Sequence, residues 1–423
     1  MRERKLPAFT SLPDYLRILI TTALFGLFLI SAQADAQTYA VIHDFTGGSD
    51  GATPIAGVTI DAAGSLCGTA SSGGRRGFGN VYRLAQVPSG WRFDLLYTFR
   101  GDREGDGSTP VARVVIGPDR ALYGTTFSGG NGNGCPQRYG CGTAFRIAPK
   151  ARASLDPWDE TVLYRFGYHD GSDPGYGDLL FDGEGNLYGT TRNGGASLQG
   201  TVYRLSPSGE LWRETVLYSF AGSPDGSAPL GEVLMDAAGN LFGTTFAGGP
   251  GNSGTIYELQ PSGSGWTESV LYAFQDPSGG IDPGSNLALL PSGALVGVTQ
   301  AGGPQNGGAL FQLAPSLGGS WNFSALFDFN GPALDGTYRT LIPDGAGNFY
   351  GTTSDDGPDQ QGSVFELSSS NGVWSYTTLH NFTGGTDGGM PFGTLALDAH
   401  GNVYGTASTG GAYGNGVVFK IAP

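Results

Sequence analysis

The residues whose types and spacing could support chemistry in this 423-residue sequence are mostly aspartates. An Asp-Gly-x-x-Pro motif recurs along the chain, with clear copies at Asp50, Asp106, Asp225 and Asp387 and looser equivalents at Asp173, Asp282 and Asp335. Carboxylates placed around one opening could bind a cation or a sugar. Asp-Gly is also typical of tight turns, in which the aspartate accepts hydrogen bonds from neighbouring backbone. Because the motif recurs so regularly, we favour the structural interpretation, with ligand binding as the alternative.

A second acidic feature is the pair Asp355 and Asp356. We expect this pair to lie near Asp335 on one face of the protein, where two carboxylates could act as the acid and base of a glycosidase. The sequence supplies neither a partner glutamate nor a defined carboxylate separation. The four histidines offer no zinc-ligand spacing and no catalytic triad, since they are scattered at His43, His169, His380 and His400.

The segment that begins at Asp102 has some features of a calcium-binding loop. Asp102, Glu104 and Asp106 alternate along it as oxygen ligands do in such loops. Arg113, however, stands where the loop requires a bidentate acid. We therefore expect no cofactor, with Ca²⁺ at this loop as the alternative.

The elements that must position these residues repeat with a fixed period. The glycine of a Tyr-Gly-Thr core recurs at Gly68, Gly124, Gly189, Gly243, Gly297, Gly351 and Gly405, and the last four steps are all 54 residues. A phenylalanine after a short apolar run recurs at Phe45, Phe99, Phe166, Phe220, Phe274, Phe329 and Phe382. Two independent landmarks with one period predict a protein of seven repeats.

Each repeat is predicted to contain four short β-strands. In the fourth repeat, the apolar stretches at residues 231–235, 240–245, 254–259 and 266–274 are bounded by Gly, Pro, Asn or Asp. A helical period of apolar residues does not occur in the sequence after residue 36. Four-stranded antiparallel units cannot bury both faces alone, but they can stack radially on their neighbours. We therefore predict an all-β fold, a seven-bladed β-propeller of four-stranded antiparallel blades.

Aromatic residues of the fourth strand are predicted to join neighbouring blades. Tyr97 and Phe99 alternate with other residues, so both rings point to one side of the sheet, which we expect to pack against the adjacent blade. Leu96 is expected to cover the opposite side. The glycine of the Tyr-Gly-Thr core removes a side chain where a ring or another backbone must approach closely.

The order of the strands predicts how the ring closes. Residues 39–45 read as a fourth-type strand with no first three before it, and residues 417–421 read as a third-type strand with no fourth after it. Pairing of the N-terminal strand with the C-terminal blade would complete the seventh blade and leave no exposed sheet edge there. We therefore assign residues 37–423 to one propeller domain.

The first 36 residues read as a secretory signal peptide. Basic residues precede an apolar run of 13 residues, from Ile18 to Ile30, and Ala34-Asp35-Ala36 fits the small-x-small rule for cleavage. This run is shorter than the roughly 20 residues that span a bilayer, so an uncleaved membrane anchor is the less favoured alternative. We expect an exported protein, extracellular, at the cell surface or periplasmic, with no membrane span in the mature chain.

Composition restricts the partners. The formal net charge is −15 at pH 7, from 22 basic and 37 acidic residues, and the sequence shows no basic cluster. Such a surface repels phosphate backbones, so nucleic acid is disfavoured as a partner. With 75 glycines the chain could be mistaken for low complexity, but aromatic residues recur in register and supply a core. We expect a monomer that binds glycan or protein.

The three cysteines have two different roles. Cys135 and Cys141 lie in an insertion, and in an exported protein a short loop closed by a disulfide is the natural interpretation. Cys67 stands where other repeats have tyrosine, so it is expected to be a buried, unpaired thiol that acts as a small apolar side chain.

On these motifs the sequence resembles the GloVer (Gloeo/Verruco) tandem-repeat family of choice-of-anchor proteins. The match lies in Gly-Asn-Leu-Tyr-Gly-Thr-Thr with a following Gly-Gly at residues 186–195, Gly-Thr-Val-Tyr-x-Leu at residues 200–205 and Leu-Tyr-x-Phe at residues 217–220. It covers essentially residues 40–423. The resemblance implies an exported protein of unassigned activity and carries over no catalytic residue. No anchor follows the last repeat in this sequence, so the resemblance does not assign a mode of attachment.

Two functions from different classes are compatible with these features. The preferred hypothesis is a non-catalytic scaffold that presents one loop-rich face to a glycan or protein, and the alternative is a carbohydrate-active hydrolase or lyase with its site over the channel. An enzyme would concentrate unusual residues in one or two blades, whereas a scaffold would spread similar loops around the ring. The sequence mostly shows the second pattern, with blades two and six as exceptions.

Overall fold

The structure is a computed structural model that describes residues 37–131, 134–136, 138–150, 157–209, 211–263, 265–284, 286–329, 341–370 and 373–423. Within these residues there is no α-helix, and the only helical turns are the 3₁₀ segments Asp102–Glu104 and Pro277–Gly279. Accordingly, this part of the chain contains no helix with the length and apolar character to cross a membrane. The expected signal segment, residues 1–36, lies outside the described residues.

Seven antiparallel sheets follow one another along the chain. Six have four strands, the third has a fifth short strand, and the seventh is completed by the first strand of the chain. We number these blades in chain order and label their strands a to d. The bounds are Val58–Ile60, Leu66–Ala70, Asn80–Val87 and Gly90–Thr98 in blade 1; Val115–Ile116, Leu122–Thr126, Thr143–Pro149 and Trp158–Arg165 in blade 2; Leu180–Phe181, Leu187–Asn193, Thr201–Ser208 and Leu211–Ser219 in blade 3; Leu234–Met235, Leu241–Thr245, Thr255–Ser262 and Gly265–Ala273 in blade 4; Ala288–Leu289, Leu295–Val298, Ala309–Pro315 and Trp321–Asp328 in blade 5; Leu341–Pro343, Phe349–Thr353, Ser363–Ser370 and Val373–Asn381 in blade 6; and Ala396–Leu397, Val403–Ala407, Val417–Ala422 and Thr38–Asp44 in blade 7.

The predicted seven-bladed β-propeller is therefore confirmed. Three further short strands lie beside blades 2 and 3: Ser172–Pro174 pairs with strand b of blade 3, and Gly107–Ser108 pairs with Ser128–Gly129. They join the loop after strand d to the loop that follows strand b of the next blade.

The first strand closes the ring, as predicted. Thr38–Asp44 pairs antiparallel with Val417–Ala422, with Val41 opposite Phe419. The ring of Tyr39 stacks on His380 of blade 6, with 3.8 Å between ring centroids. The N-terminal strand thus supplies both the outer edge of blade 7 and part of its contact with the preceding blade.

The glycine of strand b makes room for an aromatic side chain of strand c. A β-carbon on Gly124 would lie 2.6 Å from the Phe145 ring, and one on Gly243 would lie 2.3 Å from the Tyr257 hydroxyl. Real β-carbons do not approach other atoms so closely, so the predicted role of this glycine is confirmed.

Aromatic rings fill the junctions between blades, but one detail of the prediction is wrong. Phe99 packs edge-on against Phe145 of blade 2, with 5.1 Å between centroids, and both rings are buried. Leu96 lies in the same buried cluster as Phe99 and does not cover the opposite face of the sheet. The reason is a β-bulge: Val81 pairs with Tyr97 and the next residue pairs with Leu95, so Leu96 has no partner in strand c.

The cysteines are arranged as expected. Cys135 and Cys141 form a disulfide, with 5.7 Å between their Cα atoms. Cys67 is buried and unpaired in strand b of blade 1. Burial raises the pKa of the Cys67 thiol to about 12, so it remains protonated and packs as a small apolar group.

Candidate functional site

The aspartates of the Asp-Gly-x-x-Pro motif hold the loops that leave strand d. The Asp225 carboxylate accepts hydrogen bonds from the Ala221 amide at 3.0 Å and the Tyr218 hydroxyl at 2.7 Å. Asp106 does the same with the Arg100 amide and the Tyr97 hydroxyl, both at 2.8 Å. Each carboxylate therefore ties a loop to the strand that it leaves.

Two blade junctions use histidine in place of tyrosine. The Asp50 carboxylate accepts the Thr46 amide at 2.9 Å and lies 3.3 Å from His43 Nε2. The Asp387 carboxylate accepts the Thr383 amide at 3.0 Å and lies 3.2 Å from His380 Nε2. Burial lowers the pKa of both imidazoles more than the nearby aspartate raises it, so both are neutral at pH 7.

In the third repeat the motif begins at a residue that the sequence interpretation missed. Asp170 accepts the Gly167 amide at 2.7 Å and the Tyr164 hydroxyl, and so takes the role that was assigned to Asp173. Asp173 is instead the residue before the proline, and its Oδ2 atom accepts a hydrogen bond of 2.7 Å from the Asn193 amide group. The assignment of Asp173 as an equivalent turn carboxylate is wrong.

The residue before the motif's proline has a left-handed backbone conformation in six repeats. The φ angles of these non-glycine residues lie between 51° and 59°, at Thr53, Thr109, Asp173, Ala228, Asp282 and Met390. The backbone amide at this position donates to the loop that follows strand b of the preceding blade, as in the 2.8 Å bond from Ala228 to the Gln199 carbonyl. Such strain persists only where the surroundings hold it in place, so this position locks adjacent blades together. Asp282 is one of these residues, so its assignment as an equivalent turn carboxylate is also wrong. Burial raises the pKa of Asp282 to about 6.

The structure does not bring the three candidate calcium ligands together. Glu104 forms ion pairs with Arg76 and, at 3.6 Å, with Arg100. The Asp106 carboxylate is buried and accepts hydrogen bonds from the Arg100 amide and the Tyr97 hydroxyl. Asp102 lies in the 3₁₀ turn Asp102–Glu104. Within the described ranges, no group of three His, Cys, Asp or Glu side chains is placed to hold a metal ion.

The proposed acid pair, Asp355 and Asp356, lies within the described residues, in the loop after strand b of blade 6. Asp356 accepts a hydrogen bond from the Thr353 hydroxyl, which ties it to the end of strand b. Asp335, the carboxylate with which the pair was expected to share a face, lies outside the described residues, as does its Asp-Gly turn. The expected grouping of the pair with Asp335 therefore stays a prediction.

A row of polar side chains lies at the inner end of blades 2 to 5, where the first strands of neighbouring blades meet. Arg113 donates to Asp178 of the next blade through Nε at 2.8 Å and through its amide at 2.9 Å. The amide of Glu232 donates to Asn286 at 2.9 Å. Burial and the Asp178 carboxylate raise the pKa of Glu232. These four residues occupy one position of successive repeats but differ in type, which is why the search for recurring motifs overlooked them.

Three consecutive blade junctions contain a half-buried glutamate beside the tyrosine and aspartate of the preceding loop. Glu160, Glu214 and Glu268 occupy one position in blades 2 to 4, and one carboxyl oxygen of each is buried without a hydrogen-bond partner among the described residues. Burial, followed by the charge of the nearby aspartate, raises the pKa of Glu160 and Glu214 to about 8 and that of Glu268 to about 7. Aromatic rings take this position elsewhere, as where Phe323 stacks on Tyr272 at 4.2 Å. A protonated carboxyl therefore replaces a ring at these three junctions.

Exposed aromatic side chains occur on the loops between strands b and c in three neighbouring blades. Tyr413 of blade 7, Phe78 of blade 1 and Tyr139 of blade 2 are 63%, 38% and 65% exposed. The loops after strand d emerge at the same end of the blades, so the aromatic residues and the motif loops share one face. This face is called the loop face below.

The fold and these loops define a seven-bladed β-propeller built from tandem repeats. The chain belongs to the Gloeobacter/Verrucomicrobia repeat family, whose model matches residues 27–210, 133–340 and 318–423. No curated protein matches the sequence.

Several solved structures are similar to this chain at low sequence identity. An ulvan lyase, described as a polysaccharide lyase bound to a GlcA(1-4)Rha3S saccharide, is 10% identical with a TM-score of 0.52, and the match covers 91% of this chain and 95% of that one. A protein of unknown function from Dyadobacter fermentans is 13% identical with a TM-score of 0.46, over 92% of this chain and 98% of that one. A 6-phosphogluconolactonase-like protein from Bacteroides uniformis is 12% identical with a TM-score of 0.47, over 77% and 84% of the two chains. At these identities the similarity concerns the fold alone.

Proposed function

We propose that this protein is an exported, monomeric scaffold that binds a glycan on its loop face and does not turn it over. The observation that carries the proposal is the set of exposed rings at Phe78, Tyr139 and Tyr413 on three neighbouring blades. Exposed aromatic side chains are typical of binding surfaces, and flat rings suit the apolar faces of sugars. The Cys135–Cys141 disulfide supports export, because such bonds persist in oxidising compartments.

The hydrogen bonds of the loop aspartates support binding without catalysis. Asp50, Asp106, Asp225 and Asp387 each accept a backbone amide within their own loop. A general acid or base needs a carboxyl group that faces the substrate, and these four groups are committed to turns. The saccharide in the ulvan lyase structure is a property of that protein, but it makes a glycan the first ligand to test in a propeller of similar fold.

The proposal is tested by screening the mature chain from residue 37 on a glycan array, with and without Ca²⁺, followed by product analysis of any bound sugar. We expect binding without new products, and weaker binding by the Tyr139→Ser/Tyr413→Ser variant. Leu317→Ser is the matched control, since Leu317 is a fully exposed apolar residue at the opposite end of a blade. Absence of any bound glycan would refute the proposal, and released products would support the hydrolase or lyase alternative.

A further inference from the structure

A cleft of about 600 Å³ lies between the outer strands of blades 1 and 2. Four of the twelve residues that line it are basic, namely Arg75, Arg76, Arg100 and Lys150. In the whole chain only 22 of 423 residues are basic, so the cleft concentrates positive charge on an acidic protein. The four residues come from three separate segments, which is why the sequence showed no basic cluster.

The four basic residues differ in how firmly they are held. Arg76 and Arg100 form ion pairs with Glu104, and Arg100 Nε also donates to the Tyr97 hydroxyl at 3.1 Å. Arg75 is exposed and forms no ion pair with any residue that the structure describes, and Lys150 has only Asp159, at 4.0 Å. Two cations are thus fixed in place, and two are available to an incoming anion.

The walls of the cleft add flat surfaces and a hydrogen-bonding group. Trp158 and Tyr97 line it, and the guanidinium of Arg83 lies 5.6 Å from the centroid of the Trp158 ring, which holds that ring in position. Glu160 also lines the cleft. Because burial raises the pKa of Glu160 to about 8, this carboxyl adds a donor at neutral pH without adding a negative charge.

Other blade junctions lack the basic residues. At the junction of blades 3 and 4, Ala196 and Ser197 stand at the positions of Arg75 and Arg76, Ala221 stands at the position of Arg100, and Ser262 at that of Lys150. That junction keeps its own half-buried glutamate, tyrosine and aspartate, so the shared groups serve the fold. A feature that only one junction has is better explained by a ligand than by the architecture.

We propose that the cleft between blades 1 and 2 binds an anionic saccharide, one that carries carboxylate or sulfate groups, through Arg75, Arg76, Arg100 and Lys150. Guanidinium groups form paired, charge-assisted hydrogen bonds with carboxylates and with tetrahedral oxyanions such as phosphate and sulfate, and the flat rings can support a sugar. The inference rests on the proposed function in taking a saccharide as the ligand, whereas the anionic character rests on the cleft alone.

The test compares three oligosaccharides of equal length by isothermal titration calorimetry at 50 and 500 mM NaCl: an oligogalacturonate, a sulfated galactan fragment and a neutral galactan fragment. At the lower salt concentration, we expect at least one anionic sugar to bind about tenfold or more tightly than the neutral one. This preference should shrink at high salt, because exposed charges are screened. The two anionic arms separate carboxylate from sulfate recognition.

The Arg75→Ser/Lys150→Ser variant tests whether the anionic sugar binds in the cleft. Both residues are exposed, so the fold should be unaffected, and the Kd for the anionic sugar should rise about tenfold or more. Arg213→Ser, which removes an exposed charge from the outer strand of blade 3, should bind like the unaltered protein. Equal binding of neutral and anionic sugars, or a variant with unchanged affinity, would overturn the inference and leave the proposed function standing. Failure of all three sugars to bind would overturn the inference alone, because the glycan array decides the proposed function separately.

Discussion

Three half-buried glutamates should make the stability of the propeller fall as pH rises from 5 to 7. Glu160 and Glu214 have their pKa raised to about 8 and Glu268 to about 7, against an ordinary value of 4.5. The unfolded chain releases these protons near pH 4.5, whereas the folded chain keeps them until pH 7 to 8. The stability contributed by the protonated side chains is therefore fully present below pH 4.5 and is lost as pH rises through 7 to 8.

The size of the effect follows from the width of the pH window. Each pH unit between the two pKa values changes the free energy of unfolding by about 1.4 kcal/mol per group, or about 2.7 kcal/mol between pH 5 and pH 7. Because all three side chains are partly open to solvent, screening reduces the effect to about 1 kcal/mol each. We therefore expect the three together to remove about 3 kcal/mol across this window.

Urea denaturation at pH 5, 6, 7 and 8 measures the effect, with Glu160→Gln/Glu214→Gln/Glu268→Gln as the perturbation. The triple variant should lose about 3 kcal/mol less than the unaltered protein between pH 5 and pH 7, and it should be the more stable of the two at pH 8. Comparing the two proteins cancels the opposite contribution of the buried histidines, which is common to both. Glu184→Gln, at an exposed turn, should leave the pH dependence unchanged. Identical pH profiles for the triple variant and the unaltered protein would refute the reasoning.

Three further predictions concern the fold. Removal of residues 37–45 should open the ring and lower the melting temperature, because strand c of blade 7 would lose its partner; an unchanged melting temperature would contradict closure by this strand. Arg113→Ala should destabilise the protein by roughly 3 kcal/mol in urea denaturation, because the buried Asp178 carboxylate loses its ion-pair partner. The Arg113→Leu/Asp178→Leu double variant should recover most of this stability. A double variant less stable than Arg113→Ala would argue against the explanation. Gly243→Ala should lower the free energy of unfolding by about 2 kcal/mol in the same measurement, since its β-carbon would meet the Tyr257 hydroxyl. Gly183→Ala, at an open position, is the control. Equal losses of stability in the two variants would show that close packing is not the cause.

The architecture could be predicted because its signals are local and recur. Turn residues bound each strand, the strand b glycine marks where a ring approaches, and the order of strands at the two ends indicates the closure. The orientation of Leu96 could not be predicted, because a β-bulge depends on the register between two strands. The turn carboxylate before blade 3 could have been predicted, because Asp170-Gly-Ser-Asp173-Pro fits the motif from Asp170, which accepts the tyrosine hydroxyl.

The candidate sites were harder to predict, because their residues differ between repeats. Arg75 and Lys150 are more than one repeat apart in the sequence, and only the packing of blade 1 against blade 2 brings them to one cleft. Arg113 and Asp178 appear unremarkable until the repeats are aligned, when they fall at one position. A search for positions that break the repeat pattern would have found both pairs, whereas a search for recurring carboxylates found the turns.

The most direct test compares a residue of the recurring turn motif with the basic residues that only the junction of blades 1 and 2 has, and asks which of them stabilise the fold and which bind the ligand. Thermal melting and binding of an anionic oligosaccharide are measured together for Asp225→Ala, which removes a turn carboxylate, and for Arg75→Ser/Lys150→Ser. We expect Asp225→Ala to melt at a lower temperature and to bind with unchanged affinity. The cleft variant should melt normally and bind at least about tenfold more weakly. Loss of binding in Asp225→Ala at temperatures where it remains folded, together with full binding by the cleft variant, would contradict this division between fold and function.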